Sequence, residues 1–488
     1  MCLYIEGNFM SNFSNFNLSE EIQQALDSLG YQKPTKVQAT VIPEIQLKKD
    51  VIVKSRTGSG KTASFAIPIC EDIDWLQNKP QALVLTPTRE LAVQVTEEFI
   101  HIGRYKRIKA TAIFGRQPFH EQKLELKSKN HVVVGTPGRI LDHITRGSNA
   151  FSKIKYLVLD EVDEMLNMGF LEQVESIIKT LPKERITLLF SATIPDKIKS
   201  LSKAYMINQV EINIEEEDVT TEQIKHYSYE TTDTDKLSLL EDVLIVENPE
   251  SAIIFCNTIE NVNHVHGRLK SLHYPCNKIH GDMEQEDRLE VISKYKRGMF
   301  PYLIATDVAA RGIDIDNVSL IINYDIPYEK EVYVHRIGRT GRKDLEGRGI
   351  TFVTSKEEKY LNFIKSYINS EIIPLTPPTK EEIEDKREAF TNKITRKLKP
   401  RTLKSDAMNK NIMKLHFNGG KNKKFRTVHF VATIANIEGV TAEDIGIITI
   451  LDRLSYVEIL NGKGQLVLNK LQGATINGKS VKVSKSYK

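Results

Sequence analysis

Short apolar runs recur along the first 370 residues, each bounded by glycine, proline or charge. The first set lies at 51–54, 82–86 (Ala-Leu-Val-Leu-Thr), 132–135, 156–160 (Tyr-Leu-Val-Leu-Asp) and 186–190. Uninterrupted Val/Leu/Ile runs of this length predict parallel strands covered on both faces. Helical stretches between them, such as 89–101 and 170–180, predict the covering layers, and the alternation predicts a doubly wound α/β domain over residues 13–208. The polar, acid-rich stretch 209–222 reads as a linker. The pattern then restarts, with strands at 252–256, 301–305, 319–323 and 349–353, and predicts a second domain of the same class over 223–373. Residues 374–412, with Pro374, Pro377, Pro378 and many charges, read as a second, partly helical linker.

The last segment, 413–488, has a different rhythm. Strands are predicted at 413–417, 446–451, 455–460 and 481–485, with helices near 427–436 and 463–472. The order β-α-β-β-α-β is the split of a ferredoxin-like α+β domain, the layout that RNA-recognition motifs use. Charge sharpens this division. The segment carries 12 Lys and Arg against 5 Asp and Glu, so a chain of net charge +4 is +7 here and −3 elsewhere. A basic module on a near-neutral body suggests a polyanion as partner, a solvated basic tail being the alternative. No run approaches the roughly 18 apolar residues of a membrane span. The start of the chain has neither a basic region nor a long apolar core, and residues 1–12 read as a disordered leader. Four scattered cysteines form no C-x-x-C pair, so the expectation is a reduced, cytoplasmic protein with no structural zinc and no membrane attachment.

The most informative chemistry is Ser55-Arg56-Thr57-Gly58-Ser59-Gly60-Lys61-Thr62, between a predicted strand and a predicted helix. Backbone N–H groups can cradle phosphate oxygens where no side chain crowds them, which accounts for Gly58 and Gly60. Lys61 then reaches the β- and γ-phosphates and the Thr62 hydroxyl ligates Mg²⁺. The full P-loop pattern has Gly at the first position, here Ser55. About 100 residues on, the strand 156–159 runs into Asp160-Glu161-Val162-Asp163. Asp160 is suited to hold Mg²⁺ through water and Glu161 to position and deprotonate an attacking water. Alone, such an acidic strand end is as readily a solvated terminus; after a P-loop it is a second half-site.

Other motifs follow the same order of argument. In Gly30-Tyr31-Gln32-Lys33-Pro34-Thr35-Lys36-Val37-Gln38, Gln38 can pair bidentately with adenine N6 and N7 and Tyr31 can stack on the ring. In isolation these two are a surface turn and a core aromatic. Pro87, Thr88 and Arg89, and Thr136, Gly138 and Arg139, follow strands and open helices; hydroxyls, helix N-termini and guanidinia suit phosphodiesters, and helix capping is the alternative for each Thr-Pro pair. Ser191-Ala192-Thr193 ends a strand with short hydroxyls that can relay hydrogen bonds to the acidic turn. In the second domain, Gln285 and Arg288, the run from Ala305 to Asp314, and His335-Arg336-Ile337-Gly338-Arg339-Thr340-Gly341-Arg342 stand out. Arg339 and Arg342 are three apart, on one face of a helical turn, where two guanidinia can neutralise charge on a γ-phosphate.

Taken together, these motifs resemble those of the DEAD-box family of superfamily 2 RNA helicases across residues 13–370. Departures are Val162, where the family usually has Ala, and Gly115-Arg116, where it has two glycines. The resemblance implies two RecA-like domains and ATP with Mg²⁺ as cofactors. It also implies an adenine-reading Q motif that includes Phe16 and Lys33, phosphate contacts from Thr57 and Ser59, and a ribose contact from Asp314. It implies a coupling role for Asp163, Ser191, Thr193 and His335, and RNA contacts from Gln285, Arg288, Thr306, Arg311 and Gly312.

In the C-terminal segment, His416 and Tyr456 occupy the two central-strand positions at which such domains stack bases, with Leu454 where a second aromatic is expected. Lys421, Lys423, Lys424 and Arg426 form a basic run beside them. With Phe417-Asn418-Gly419-Gly420-Lys421 and Asp444-Ile445-Gly446, the whole chain resembles the DbpA group of bacterial DEAD-box proteins. That resemblance implies direction to a hairpin of 23S ribosomal RNA and a role in large-subunit (50S) assembly. With no heptad or long exposed apolar stripe evident, a monomer is the expectation and oligomeric state stays open. An RNA chaperone for which ATP chemistry is incidental and a DNA-directed motor are the rival readings.

Overall fold

The structure is a computed structural model and describes residues 12–55, 58–214, 224–310, 315, 318–341, 347–368, 370–396, 398–402, 406 and 409–486. The predicted leader apart from Asn12, and Thr57, Arg311, Gly312, Asp314 and Arg342, lie outside these residues. The chain divides into two compact units, one formed by the residues up to Ile214 together with the C-terminal segment from 403 onward, the other by the residues between.

In the first unit, seven strands form one sheet: β1 (Val51–Lys54), β2 (Ala82–Leu85), β3 (Ala110–Ile113), β4 (Val132–Gly135), β5 (Tyr156–Leu159), β6 (Ile186–Ser191) and β7 (Val210–Asn213). Their order is β3-β4-β2-β5-β6-β1-β7, all parallel. The central strands are buried along their whole length, and two apolar layers cover them, one containing Phe65, Phe99 and Phe190, the other Val174, Ile177 and Leu189. Each connection returns a strand's C-terminal end to the same edge, so the loops after β1, β2, β4, β5 and β6 gather there. The segment expected to begin a linker at 209 instead supplies edge strand β7, paired to β1, because Val210 and Ile212 alternate with polar Glu211 and Asn213 as one face of an edge requires.

The second unit repeats the design: β8 (Ile224–Glu230), β9 (Ala252–Cys256), β10 (Cys276–Ile279), β11 (Tyr302–Thr306), β12 (Leu320–Asn323), β13 (Gly347–Val353) and β14 (Ile372–Leu375), ordered β10-β11-β9-β12-β13-β8-β14 and parallel. This unit also runs past its expected end at 373. Strand β14 pairs with β8, and the helix Lys380–Thr395 lays Ile383 and Phe390 into the apolar layer, with Phe390 edge-on to Tyr274 at 5.0 Å. Ile383 and Phe390 are seven apart, two turns on one helix face, which is why a charge-rich sequence still packs.

The C-terminal segment forms an antiparallel sheet of β15 (Met413–Phe417), β16 (Ile445–Ile450), β17 (Ser455–Ile459) and β20 (Val483–Lys485), ordered β16-β17-β15-β20, with the small hairpin of β18 (Thr475–Ile476) and β19 (Lys479–Ser480) beside it. Helices Thr427–Ala435 and Gly464–Lys470 cover one face. The other face carries His416 and Tyr456. Asp444, at the turn into β16, accepts from Lys463 Nζ (2.8 Å), Asn461 Nδ2 (2.9 Å), Thr441 N (2.8 Å) and Thr441 Oγ1 (3.1 Å). Gly420 has to lack a side chain, since a Cβ there would lie 2.0 Å from the Leu451 carbonyl oxygen. The same unit places Arg107 Nε 2.8 Å from the Ile445 carbonyl and Arg104 Nη1 2.8 Å from Asn409 Oδ1.

Candidate ATP and RNA sites

The phosphate loop joins β1 to the helix Lys61–Asp72. Gly58 and Gly60 have φ of +84° and +89°, in the left-handed region. At Gly60 a Cβ would also meet Gln38 Nε2 at 2.7 Å. Ser55 is not among the positive-φ residues, so glycine is not required there. Its N–H donates to the Ser191 carbonyl (3.0 Å), its carbonyl accepts from Lys61 Nζ (3.2 Å) and its hydroxyl accepts from Ser59 (3.4 Å). Lys61 is almost fully buried, and Thr62 stands at the first turn of the helix, whose free N–H groups and dipole favour an anion.

The predicted adenine reader is built into this loop. Gln38 Oε1 accepts from Thr35 N (2.9 Å), Gln38 Nε2 donates to the Gly60 carbonyl (3.3 Å), and Thr35 Oγ1 donates to the Ser59 carbonyl (2.9 Å). Tyr31 donates to Glu98 Oε1 (2.5 Å) and meets Phe13 edge-on at 5.8 Å. Phe16 is buried in the core against Phe13, and Lys33 is exposed. Phe16 therefore supports the turn from beneath and offers no open face.

The acidic turn follows β5. Glu161 has φ +52° and ψ +55°, a conformation uncommon for a side-chain-bearing residue and retained where surroundings impose it. Asp160 is buried, and its Oδ1 has no hydrogen-bond partner among the described residues. Burial pushes its carboxyl up, against the pull of nearby Lys61. A carboxyl oxygen so placed beside Lys61 fits a Mg²⁺ held through water, and Thr62 would be the second holder. Val162 is fully buried in the apolar layer, so the extra methyl groups relative to Ala pack inward. Asp163 faces the end of β6: its Oδ2 accepts from Ala192 N (3.1 Å), Thr193 N (2.9 Å) and Thr193 Oγ1 (3.2 Å), and Ser191 Oγ donates to the Thr193 carbonyl (2.6 Å). These bonds join the acidic turn to the end of β6.

Beside it lie the predicted RNA contacts of the first sheet. Thr88 caps the helix Arg89–Ile102 by accepting from Leu91 N (3.2 Å), whereas Thr136, ahead of Pro137, makes no such cap bond. A Cβ at Gly115 would lie 3.5 Å from Arg89 Nη2, and one at Gly138 would lie 3.2 Å from Gln173 Oε1. Arg116, the departure from two glycines, takes φ +62°, so it keeps the backbone shape glycine would give. Arg139 Nη1 donates to Gln122 Oε1 (3.3 Å). Gln122 went unnoticed in the sequence because a lone glutamine in a polar helix has no pattern to mark it.

In the second unit, Thr306 ends β11 and Gln285 and Arg288 open the helix Gln285–Lys296, all three buried. Arg336, named in the sequence only as part of the 335–342 run and given no role there, is 2 % exposed and satisfies all its donors' directions: Asp307 Oδ1 (2.5 Å) and Oδ2 (2.7 Å), Asn323 Oδ1 (3.2 Å), the Asp325 carbonyl (2.6 Å) and Asn257 Oδ1 (2.8 Å). It bolts the helix Lys330–Ile337, and with it His335 and Arg339, to the residue after Thr306. Arg339 is buried, its N–H bonded to the Arg336 carbonyl (3.3 Å). His280, ahead of Gln285, is buried, and neither of its ring nitrogens has a hydrogen-bond partner among the described residues.

On the C-terminal sheet His416 and Tyr456 are register partners, their rings 5.5 Å apart, with Lys414 Nζ 5.0 Å from the Tyr456 ring. Lys421, Lys424 and Arg426 are exposed, while Lys423 donates to the Ser480 carbonyl (3.0 Å). Among the described residues, no helix is long and apolar enough to cross a membrane.

Three family models match the chain: DEAD/DEAH box helicase over 35–201, helicase conserved C-terminal domain over 235–344, and DbpA RNA binding domain over 414–485. The chain is 57 % identical to the ATP-dependent RNA helicase DbpA of Bacillus subtilis, over 98 % of this chain and all of that one. It is 43 % identical to the DEAD-box ATP-dependent RNA helicase CshA of Geobacillus kaustophilus, over 76 % of this chain and 80 % of that one. Among solved structures it resembles S. cerevisiae Dbp5 bound to RNA and ADP BeF3, with a TM-score of 0.69 and 31 % identity over 78 % of this chain and all of that one. Geometry and kinship agree, and the chain belongs to the DEAD-box ATP-dependent RNA helicases that carry a DbpA RNA-binding domain.

Proposed function

We propose that this helicase uses ATP and Mg²⁺ to open short RNA duplexes in 23S ribosomal RNA during assembly of the large ribosomal subunit, acting as a cytoplasmic monomer. The observation that carries the enzymatic part is Asp163, which ties the acidic turn, and so the water-activating Glu161, to Ser191–Thr193 on the RNA-contacting edge of the same sheet. In this reading the loop amides and Lys61 hold the β- and γ-phosphates. Glu161 orients a water and takes its proton as the water oxygen bonds to the γ-phosphorus and the bond to the β,γ-bridging oxygen breaks. Mg²⁺, when bound, neutralises charge on the phosphate oxygens, and Thr62 and Asp160 are its holders. Arg339 and Arg342 are assigned, on the sequence resemblance, to the charge that develops on the γ-phosphate. Targeting rests on the C-terminal sheet: Tyr456 and His416 offer rings for unpaired bases, with Lys421, Lys424 and Arg426 for phosphates.

ATPase measured with a 23S fragment, an unrelated RNA and DNA tests this. Stimulation by the 23S fragment at the lowest concentration, by unrelated RNA at a higher one and not by DNA is expected. Equal stimulation by DNA would refute the RNA reading. Deleting residues 413–488 is expected to leave stimulation by RNA but abolish the preference; a truncated protein that still prefers the 23S fragment refutes the targeting role.

A further inference from the structure

Gln122 lies on the helix Phe119–Lys127 and is 1 % exposed, though most of that helix faces solvent. Both ends of its amide are engaged. Nε2 donates to the Phe114 carbonyl (2.9 Å) and to Gln117 Oε1 (2.8 Å). Oε1 accepts from Arg139 Nη1 (3.3 Å) and faces His143 Nε2 (3.2 Å). The orientation of the amide follows from its partners, since a guanidinium only donates and a carbonyl only accepts. His143 is buried, and burial, followed by the charge of Arg139, pushes its imidazole down to about 4. It is therefore neutral at physiological pH, with the proton on Nε2 directed to Gln122. The His143 ring stacks on Phe119 at 4.2 Å, and Arg139 and Arg146 stand 5.9 and 4.5 Å from the Phe119 ring.

One side chain thus joins two separate segments of the RNA-facing edge, the Phe114-Gly115-Arg116 turn after β3 and Arg139 after β4. A glutamine does this where neither a carboxylate nor an apolar residue could, because one end must donate and the other accept. We propose that Gln122 is a positioning residue for RNA binding, which fixes the Arg139 guanidinium and the turn bearing Arg116 in one relative geometry. The proposal rests on reading Arg139 as an RNA contact. Gln122 itself, buried beneath the surface, touches no RNA.

The test is RNA-stimulated ATPase of the full chain, with the RNA concentration at half-stimulation and the saturating turnover read separately. Gln122→Ala is expected to raise half-stimulation about tenfold, the effect of losing one hydrogen bond to a charged group, with saturating turnover and the KM for ATP within about twofold, as expected for lost binding energy that is the same in ground and transition states. Gln122→Glu, which keeps the acceptor for Arg139 and His143 but loses the donor to Phe114, is expected to recover part of that loss. In an Arg139→Ala background, Gln122→Ala is expected to add less than it does alone. A Gln122→Ala protein with native circular dichroism and unchanged half-stimulation overturns the proposal, as does full additivity with Arg139→Ala. If Gln122→Ala does not fold, Gln122→Glu with the loss of Gln122→Ala's predicted size, and no recovery, overturns the part played by Arg139. Arg139→Ala with unchanged half-stimulation refutes the RNA assignment of Arg139 itself, a failure visible without any Gln122 variant.

Discussion

Replacing Asp163 by Ala should separate ATP binding from RNA unwinding. Its Oδ2 collects two backbone N–H groups and one hydroxyl from residues 192 and 193, all within 3.2 Å. Hydrogen bonds to a charged group contribute about 1.5–3 kcal/mol each. The three share one oxygen and lie on a partly exposed segment that water can reach, so they will not add in full. A net loss of about 2–3 kcal/mol in the link is expected, which corresponds to a drop in unwinding of roughly thirty- to 160-fold. ATP affinity should change by less than about threefold, since the bonds of Lys61 and Gln38 to the phosphate loop do not pass through Asp163. Thr193→Val removes only the 3.2 Å hydroxyl bond and should cost about 1 kcal/mol, near fivefold. The assays are titration of a fluorescent ATP analogue and single-turnover unwinding of a short RNA duplex. Unwinding retained within about twofold in folded Asp163→Ala, or equal losses in the two variants, would refute the reasoning.

Other expectations follow from the same geometry. Glu161→Gln should bind ATP and RNA but lose turnover, because an amide cannot take the proton of the attacking water; unchanged ATPase refutes the assigned base. Ser55→Gly, which restores the commoner residue, should not improve ATP affinity and should lower stability by about 0.5–1 kcal/mol, seen as a lower thermal midpoint, since the position does not use positive φ. In the C-terminal domain burial would raise the Asp444 carboxyl, but bonds from Lys463, Thr441 and Asn461 hold it down to about 2 against the ordinary 3.8. A carboxyl depressed in the folded state stabilises above its unfolded value and loses that contribution as pH falls towards 2, so pepsin cleavage within 413–486 should accelerate between pH 4 and pH 2. Asp444→Asn should already be cleaved rapidly at pH 4 and change little below it. Tyr456→Ala should weaken binding of a 23S fragment by about 1–3 kcal/mol, read by fluorescence anisotropy, with the response to unrelated RNA little changed.

Which elements were legible in the chain follows their place in the sheets. The strands predicted from uninterrupted apolar runs are the interior ones, β1, β2, β4, β5 and β6 in the first sheet and β9, β11, β12 and β13 in the second. The four edges, β3, β7, β10 and β14, passed unnoticed, as did β8 next to an edge. An interior strand is covered on both faces, so most of its residues are apolar and the run is visible. An edge strand such as Cys276-Asn277-Lys278-Ile279 or Val210-Glu211-Ile212-Asn213 is half wet, and its four residues look like loop. The domain boundaries shifted for the same reason, because the terminal strand of each sheet is an edge.

The sequence alone marked the candidate chemistry: Gly58, Gly60 and Lys61, the Asp160–Asp163 turn, Ser191–Thr193, and the +7 module with His416 and Tyr456. A ligand demands particular atoms at a particular spacing, so candidate ligand-binding residues show as local motifs. Tertiary structure alone decided what holds them. It showed Gln38 bound to the Gly60 carbonyl, Ser55 in a backbone shape that needs no glycine, Arg336 locked among Asp307, Asn257 and Asn323, and Gln122 between Phe114 and Arg139. These supports lie 8 to 79 residues from the partners they bind. Burial strips competing water from such polar contacts, and only the folded sheet brings the partners together, so no local pattern announces them.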